Sequence, residues 1–391
     1  MIQLDDPNSR LSLDCIEAPG SFLWWYLEIT NVDGDGIVLI WAYGLPFLPG
    51  LAADARAGAP AAGRARPSLN VVTYSRGVPA SYILHEYEPD DVAWDGQGHW
   101  RFGASEIRSV DAGPERSVDA NLEIPIPGGD VLRARIRAAG PRPLAAVGPL
   151  PALLSTGSPH GWTPLVIGAV GTAHVAIPGQ GFRFVVSGAA YHDRNRSTRP
   201  LHELGFRRWL WAHERRGTAE RIAYALWPRD SKAPLGFGIE AAPGEPLKVT
   251  ALEPTFVGRR TLPFGMRSWD SVTFRVPGAD HADEPFLDFP LTHCVDQGPF
   301  YLRYLRARGG VGSLEVIDPD RVDLARHRPL VEMRVTRAGQ RPSIWAPLFQ
   351  GALDGRPSRL LRYWKSLLAT PPGPVLRPDF QRRRSRPVEP R

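Results

Sequence analysis

The sequence predicts an all-β protein made of two barrel-like halves. Three observations carry that prediction. Apolar and polar residues alternate at period two along most of the chain. Turn formers punctuate the alternation, with 40 Pro and 39 Gly. Strand-favouring aromatics are abundant, at 12 Trp, 10 Tyr and 15 Phe. At 391 residues the chain exceeds one ordinary core, so two domains are expected.

The elements follow in order. Trp24-Trp25-Tyr26-Leu27-Glu28-Ile29-Thr30 reads as a strand and is expected in the core. Asp33-Gly34-Asp35-Gly36 turns it into Ile37-Val38-Leu39-Ile40-Trp41, a hairpin signature. The 52–67 stretch, rich in Ala, Gly, Arg and Pro, has no periodicity and reads as a mobile loop or lid. Strands resume at Leu69 to Tyr74 and at Ser81 to Tyr87. Asn121 to Ile126 and Val131 to Arg137 alternate strictly, which predicts one wet face. Residues 140–158, again rich in Pro and Gly, read as an irregular crossover that ends in a loop holding His160.

Ala173 to Ile177 and Phe182 to Ser187 form the next hairpin, around Pro178-Gly179-Gln180-Gly181. Leu210 to His213 and Ile222 to Trp227 follow. A break from Pro228 to Pro234 sets the expected boundary: an N-terminal domain over 1–230 and a C-terminal one over 231–370. Strands in the second domain are expected at Leu247 to Leu252, Ser271 to Val276, Phe300 to Leu305 and Leu330 to Val335. A short helix is expected over Ser358 to Leu368, where apolar residues recur at three and four, and a basic disordered tail over 371–391.

Charge and cysteines narrow the function. The net charge is +6, partly from Arg382, Arg383, Arg384 and Arg386. No basic stripe interleaves with aromatics in a known module, so nucleic acid is not an expected partner. Contact of the tail with an anionic membrane surface is an expectation. Cys15 and Cys294 give neither metal spacing nor a disulfide framework, which fits a reducing compartment. The acidic start Met1-Ile2-Gln3-Leu4-Asp5-Asp6 has no signal-peptide core, and no run of 18 apolar residues exists. The expected location is the cytoplasm, with peripheral contact at the inner membrane. His174, His202 and His213 lack a carboxylate set at ligand spacing, so no metal is expected. Phosphate-loop and Gly-x-Ser-x-Gly signatures are absent.

The informative segments are His160-Gly161-Trp162 and Gly188-Ala189-Ala190-Tyr191-His192-Asp193-Arg194-Asn195. They set a carboxylic acid among aromatics and histidines, a combination suited to proton-driven chemistry on an apolar substrate. If the second segment stays extended, Tyr191 and Asp193 share one face and His192 supports them from the other. Other readings stand beside this one. Asp193 and Asn195 are common turn formers at strand ends. His160 can be a satisfied loop residue, and Trp162 and Tyr191 can be core.

Together with Trp24-Trp25-Tyr26, Leu69-Asn70-Val71, Pro200-Leu201 and Arg208-Trp209-Leu210-Trp211, these segments resemble the carotenoid 1,2-hydratases and their lipocalin-like relatives. The resemblance covers roughly the first two-thirds of the chain, and the 52–67 loop departs from it. It implies two lipocalin-like β-barrel domains and cofactor-independent hydration of a terminal double bond in an acyclic carotenoid or similar isoprenoid. Asp193 is then the acid that protonates the alkene. Burial in an apolar pocket penalises the charged form of a carboxyl and keeps its proton on. Trp162 and Tyr191 are expected to stabilise the resulting cation. His160 is expected to orient Asp193 or to hold the attacking water as base. A cyclase or pericyclase on another hydrophobic metabolite, or a non-catalytic lipid binder, would use the same fold.

Overall fold

The computed structural model describes residues 2–318, apart from 10, 47–59, 77, 127–129, 152, 155–156, 263–265, 280–283, 291–292, 299–302 and 310–311. Residues 52–59 of the expected loop, the strand expected at Leu330 to Val335, the helix expected over Ser358 to Leu368 and the basic tail lie outside the described residues. Of that loop, Gly63–Ala65 form a 3-10 turn that leads into a strand at Pro67.

Strands β1 (Ile2–Leu4), β2 (Phe22–Thr30), β3 (Gly36–Tyr43), β4 (Pro67–Ser75) and β5 (Val78–Glu86) come first. A meander follows: β6 (Val92–Trp94), β7 (His99–Phe102), β8 (Ser105–Ala112), β9 (Glu115–Ile126) and β10 (Asp130–Pro141). β11 (His160–Ile177) and β12 (Phe182–Ser197) form a long central hairpin. After it run β13 (Phe206–Arg216), β14 (Ala219–Pro228), β15 (Leu235–Ala241), β16 (Lys248–Leu262), β17 (Met266–Arg275) and β18 (Leu287–Pro290). The last three described strands are β19 (His293–Gly298), β20 (Arg303–Gly309) and β21 (Gly312–Asp318).

The fold class is as the sequence predicted, all-β in two curled sheets. The first runs β5-β4-β3-β2-β12-β11-β10-β9-β8-β7-β6, and β1 adds to β11 as its parallel neighbour. The second runs β18-β17-β16-β15-β14-β13-β21-β20-β19. The change of sheet falls between Ser197 and Phe206, at a 3-10 turn over Leu201–Glu203. The break at Pro228 to Pro234, where the sequence suggested a domain boundary, joins β14 to β15 inside the second sheet. Pro and Gly mark turns there, and a hairpin turn and a domain linker share that composition.

The two sheets pack back to back, and each also curls around a core of its own. In the first sheet, Trp25, Leu27, Leu39, Trp41 and Val71 face the inside of the curl, with Ile107, Leu122 and Ile136 across from them. β9 and β10 alternate buried and exposed residues, with one wet face as predicted. The second curl holds Leu210, Ala223, Leu252 and Phe274. Between the sheets lies a third cluster to which both contribute: Trp24, Tyr26, Ile40, Trp162 and Tyr191 from one, Trp209, Trp211, Tyr224 and Phe237 from the other. Period two produces this arrangement. Alternate residues of β2, β3, β12 and β13 serve different cores, so both faces are apolar.

β11 is not regular. Its register against β12 shifts between Pro164 and Val166 and again between Val166 and Ala169, opposite the Tyr191-to-Asp193 stretch. Such bulges bend a strand and re-aim its side chains. Gly168 makes the second shift possible. Its φ is +57°, and a Cβ there would sit 2.5 Å from the carbonyl oxygen of Thr218, in the β13–β14 turn of the second sheet. The neighbouring Ala169 carbonyl accepts a hydrogen bond from the Arg215 guanidinium. The bulge is therefore a point where the two sheets are tied.

Gly168→Ala is expected to strain the backbone and push the sheets apart at this tie. The expected loss is about 1–3 kcal/mol in urea denaturation, the range for overpacking. Gly217→Ala, a positive-φ turn with open space around it, is the comparison and is expected to lose less.

Candidate functional site

β12 stays extended through Ser197, so Asp193 and Asn195 are strand residues and not turn formers. Facing alternates as predicted. Tyr191 and Asp193 point between the sheets. His192 points into the first curl, where it stacks on Trp41 at 5.3 Å and its Nδ1–H donates to the Tyr26 carbonyl at 2.8 Å. Because a carbonyl only accepts, this bond fixes the ring's tautomer.

His160 begins β11 and does not sit in a loop as expected. β1 makes the difference. It pairs Ile2 with His160 and Leu4 with Trp162, extending the sheet backwards along β11. Asp5, just past β1, forms a forked ion pair with Arg196, with both contacts at 2.7 Å. The pair crosses over Gly161, where a Cβ would come within 2.4 Å of the Asp5 carboxylate and 2.7 Å of the guanidinium. The glycine of the His-Gly-Trp motif is there for that crossing.

The four expected site residues converge at the sheet interface, all buried. The Trp162 indole N–H donates to Asp193 Oδ2 at 2.8 Å, and the Tyr191 hydroxyl donates to the same oxygen at 2.9 Å. Two donors thus fill the acceptor capacity of one carboxyl oxygen. His160 makes a parallel diagonal contact one step along the strands. Its Nε2 lies 3.3 Å from Asn195 Oδ1, and its Nδ1 has no hydrogen-bond partner. The expected bond from His160 to Asp193 is therefore replaced by one to Asn195. The register explains this: Asn195 pairs directly with Trp162, and the His160–Asn195 and Trp162–Asp193 contacts repeat along the same diagonal.

The second sheet closes the site with residues that the sequence did not single out for it. Tyr224 meets Trp162 edge-on at 5.1 Å, and Trp211 packs on Tyr191 at 5.4 Å. Trp209 lies 5.0 Å from the His160 ring. His213 stacks on Tyr191 at 4.3 Å, covering one face of that ring. The sequence carried a usable signal in the period-two spacing of Trp209, Trp211 and His213. What it did not carry was the partner sheet against which they pack.

Burial dominates the electrostatics. It lowers His160 and His192 to about 3 and His85 to about 4. Burial, then the neighbouring Asp193 carboxyl, holds the Tyr191 phenol well above the usual tyrosine range. His213 is the exception. Burial opposes its charge, but the Glu220 and Glu28 carboxylates outweigh that and raise it to about 9. Among the described residues, no group of three His, Cys, Asp or Glu is placed to hold a metal ion. No described helix is long and apolar enough to cross a membrane.

The fold is of the AttH type. The crystal structure of an AttH-type protein of Nitrosomonas europaea superposes with a TM-score of 0.53, over 80% of this chain and 98% of that one, at 10% identity. The kievitone hydratase of Nectria haematococca aligns over 81% of this chain and 96% of its own, at 11% identity and a TM-score of 0.39. No family model matches the chain. In sequence, the chain is similar to the acyclic carotenoid 1,2-hydratase of Thiocapsa roseopersicina, at 26% identity over 239 residues. The match covers 57% of this chain and 52% of that one, so it spans about half the length of the curated relative.

The histidines give a prediction with a definite sign. Unfolded histidine takes a proton near 6.5, whereas native His85, His160 and His192 stay neutral down to about 3–4. The unfolded state therefore binds more protons below 6.5, and stability falls as pH drops from there. Each histidine contributes about 1.4 kcal/mol per pH unit. Urea denaturation across that range is expected to show the slope, and His160→Asn is expected to remove one histidine's share. A slope unchanged in His160→Asn would contradict a neutral, buried His160.

Proposed function

We propose that this protein hydrates a terminal carbon–carbon double bond of an acyclic carotenoid or similar isoprenoid, with Asp193 as the proton donor. The observation that carries this reading is the pair of hydrogen bonds from Trp162 and Tyr191 to one oxygen, Oδ2, of a carboxyl buried between two aromatic-rich sheet faces. The similarity to an acyclic carotenoid 1,2-hydratase supports it.

With both lone pairs of Oδ2 engaged, the acidic proton belongs on Oδ1. The alkene π electrons take that proton to form a C–H bond, leaving a tertiary carbocation and the Asp193 carboxylate. Trp162 and Tyr191 are already aimed at the oxygen pair where this negative charge develops, so no reorganisation is needed as the proton leaves. A water oxygen then bonds to the cation, and its surplus proton returns to Asp193. The acid is restored and no cofactor is consumed.

His160 suits the second half of the reaction. Asn195 Oδ1 takes the Nε2–H, which leaves the Nδ1 lone pair to accept a hydrogen bond from the attacking water. Burial keeps this ring neutral, so it does not oppose a nearby cation. The His160–Asn195 and Trp162–Asp193 contacts lie two strand residues apart, about 7 Å, so the acid and the water-holding ring take neighbouring positions along the hairpin. Cation stabilisation falls to the aromatic rings around Trp162, since His213 occupies a face of Tyr191.

The test is conversion of lycopene and neurosporene in a carotenoid-producing host. The wild type is expected to yield a product heavier by one water, and Asp193→Asn none while remaining folded. Trp162→Phe and Tyr191→Phe are each expected to lower kcat about 100-fold, the scale for loss of one preorganised donor. Full activity in a folded Asp193→Asn variant would refute the assignment of the acid.

A further inference from the structure

Outside the donors to Asp193, the sheet interface holds a second polar cluster. His213 of β13 is buried, and its Nδ1 lies 2.7 Å from Glu220 Oε1 of β14. Its Nε2 lies 3.6 Å from Glu28 Oε2 of β2, an ion-pair distance too long for a hydrogen bond. Glu28 also accepts from the Tyr26 hydroxyl at 2.5 Å and from the Tyr74 hydroxyl at 3.2 Å. Taking two carboxylates and an imidazole out of water is costly, and apolar residues of similar volume would fill the same space without that cost.

The geometry points to a role beyond packing. The His213 ring stacks on the Tyr191 ring at 4.3 Å and 23°, and the Tyr191 hydroxyl donates to Asp193 Oδ2. The β2–β12 register places Glu28 directly opposite Tyr191 and Tyr26 directly opposite Asp193. Both arms of the cluster therefore end at the Tyr191–Asp193 pair. We propose that His213, held between Glu220 and Glu28, is a positioning residue that acts through Tyr191 to set the hydrogen bond on Asp193. The proposal rests on the reading of Asp193 as the acid and adds a contribution of the second sheet to it.

Two physical effects carry it. Stacking fixes the plane of the Tyr191 ring, and with it the direction of its O–H. A positive imidazolium against that face also draws electron density from the ring, which makes the phenol a stronger donor as charge develops on Asp193. The charged form is favoured because the ionisable groups facing the ring are Glu220, Glu28 and Tyr191, with the Tyr26 and Tyr74 phenols on Glu28. Glu220 and Glu28 together keep His213 protonated to about pH 9.

The test has two arms. In the first, Tyr191 is followed by NMR in the full chain with ζ-13C-tyrosine, assigned by its loss in Tyr191→Phe. Its resonance is expected to move as the wild-type protein is taken through about pH 9, and to be displaced and flat over that range in His213→Gln. A wild-type resonance that does not move would overturn the proposal, and this titration needs neither a substitution nor a substrate. The second arm is lycopene hydration. His213→Gln is expected to lower kcat at least tenfold with KM within twofold, and His213→Arg, which keeps a planar cation on the ring, to recover part of the loss. A folded His213→Gln with unchanged kcat would overturn it. If the wild type hydrates nothing, the functional reading fails while the NMR arm still decides whether His213 governs Tyr191.

Discussion

One carboxyl oxygen organises the site. Asp193 Oδ2 receives the Trp162 indole and the Tyr191 hydroxyl inside the seam between two sheets, where bulk water does not reach it. Each bond to a neutral carboxyl is worth about 0.5–1.5 kcal/mol, and a buried donor left without its acceptor costs about 1–3 kcal/mol. The site is thus bound to the fold in both directions. The donors hold the carboxyl in place, and the carboxyl satisfies two donors that the aromatic seam would otherwise strand. Much of the surrounding construction serves to bring β11 and β12 into the register that makes these contacts. β1 extends β11 back to His160, the Asp5–Arg196 pair clamps the end of the hairpin over Gly161, and the bulge at Gly168 ties β11 to the second sheet.

Burial and charged neighbours together explain why histidines behave so differently within one protein. His160 in the seam and His192 in the first curl are lowered first by burial and then by nearby positive charges, the N-terminus and Arg196 for one and Arg116 and Arg194 for the other, so they stay uncharged. His213 is equally buried, but two carboxylates face it and reverse the outcome. A neutral imidazole lies on the Asn195 side of the acid and a charged one behind Tyr191. That division suits a reaction in which a cation must be tolerated near one ring and an anion stabilised near another.

Much of the first sheet's half of this was legible in the sequence. Period two separated Tyr191 and Asp193 from His192, and the structure places them on opposite faces for that reason. Strict alternation in β9 and β10 correctly announced a wet face. The reading failed where the deciding partner is distant in sequence. His160 looked like a loop residue after Pro159 because the strand that extends β11, β1, lies at the other end of the domain. Asp193-Arg194-Asn195 carries turn-forming residues, yet it is held extended by β2 on one side and β11 on the other. Pro228 to Pro234 looked like a linker and is a hairpin turn. Glu28, Glu220 and His213 show no motif at all. They meet only because the sheets pack back to back, and no local pattern encodes that pairing.

The central claim is that Asp193 carries a proton while two donors hold its other oxygen. The most direct measurement is infrared difference spectroscopy between the wild type and Asp193→Asn at neutral pH, repeated with Tyr191→Phe. The account predicts a protonated-carboxyl stretch that is absent in Asp193→Asn and shifts to higher frequency when the Tyr191 donor is removed. A spectrum in which Asp193 contributes only carboxylate bands would contradict it.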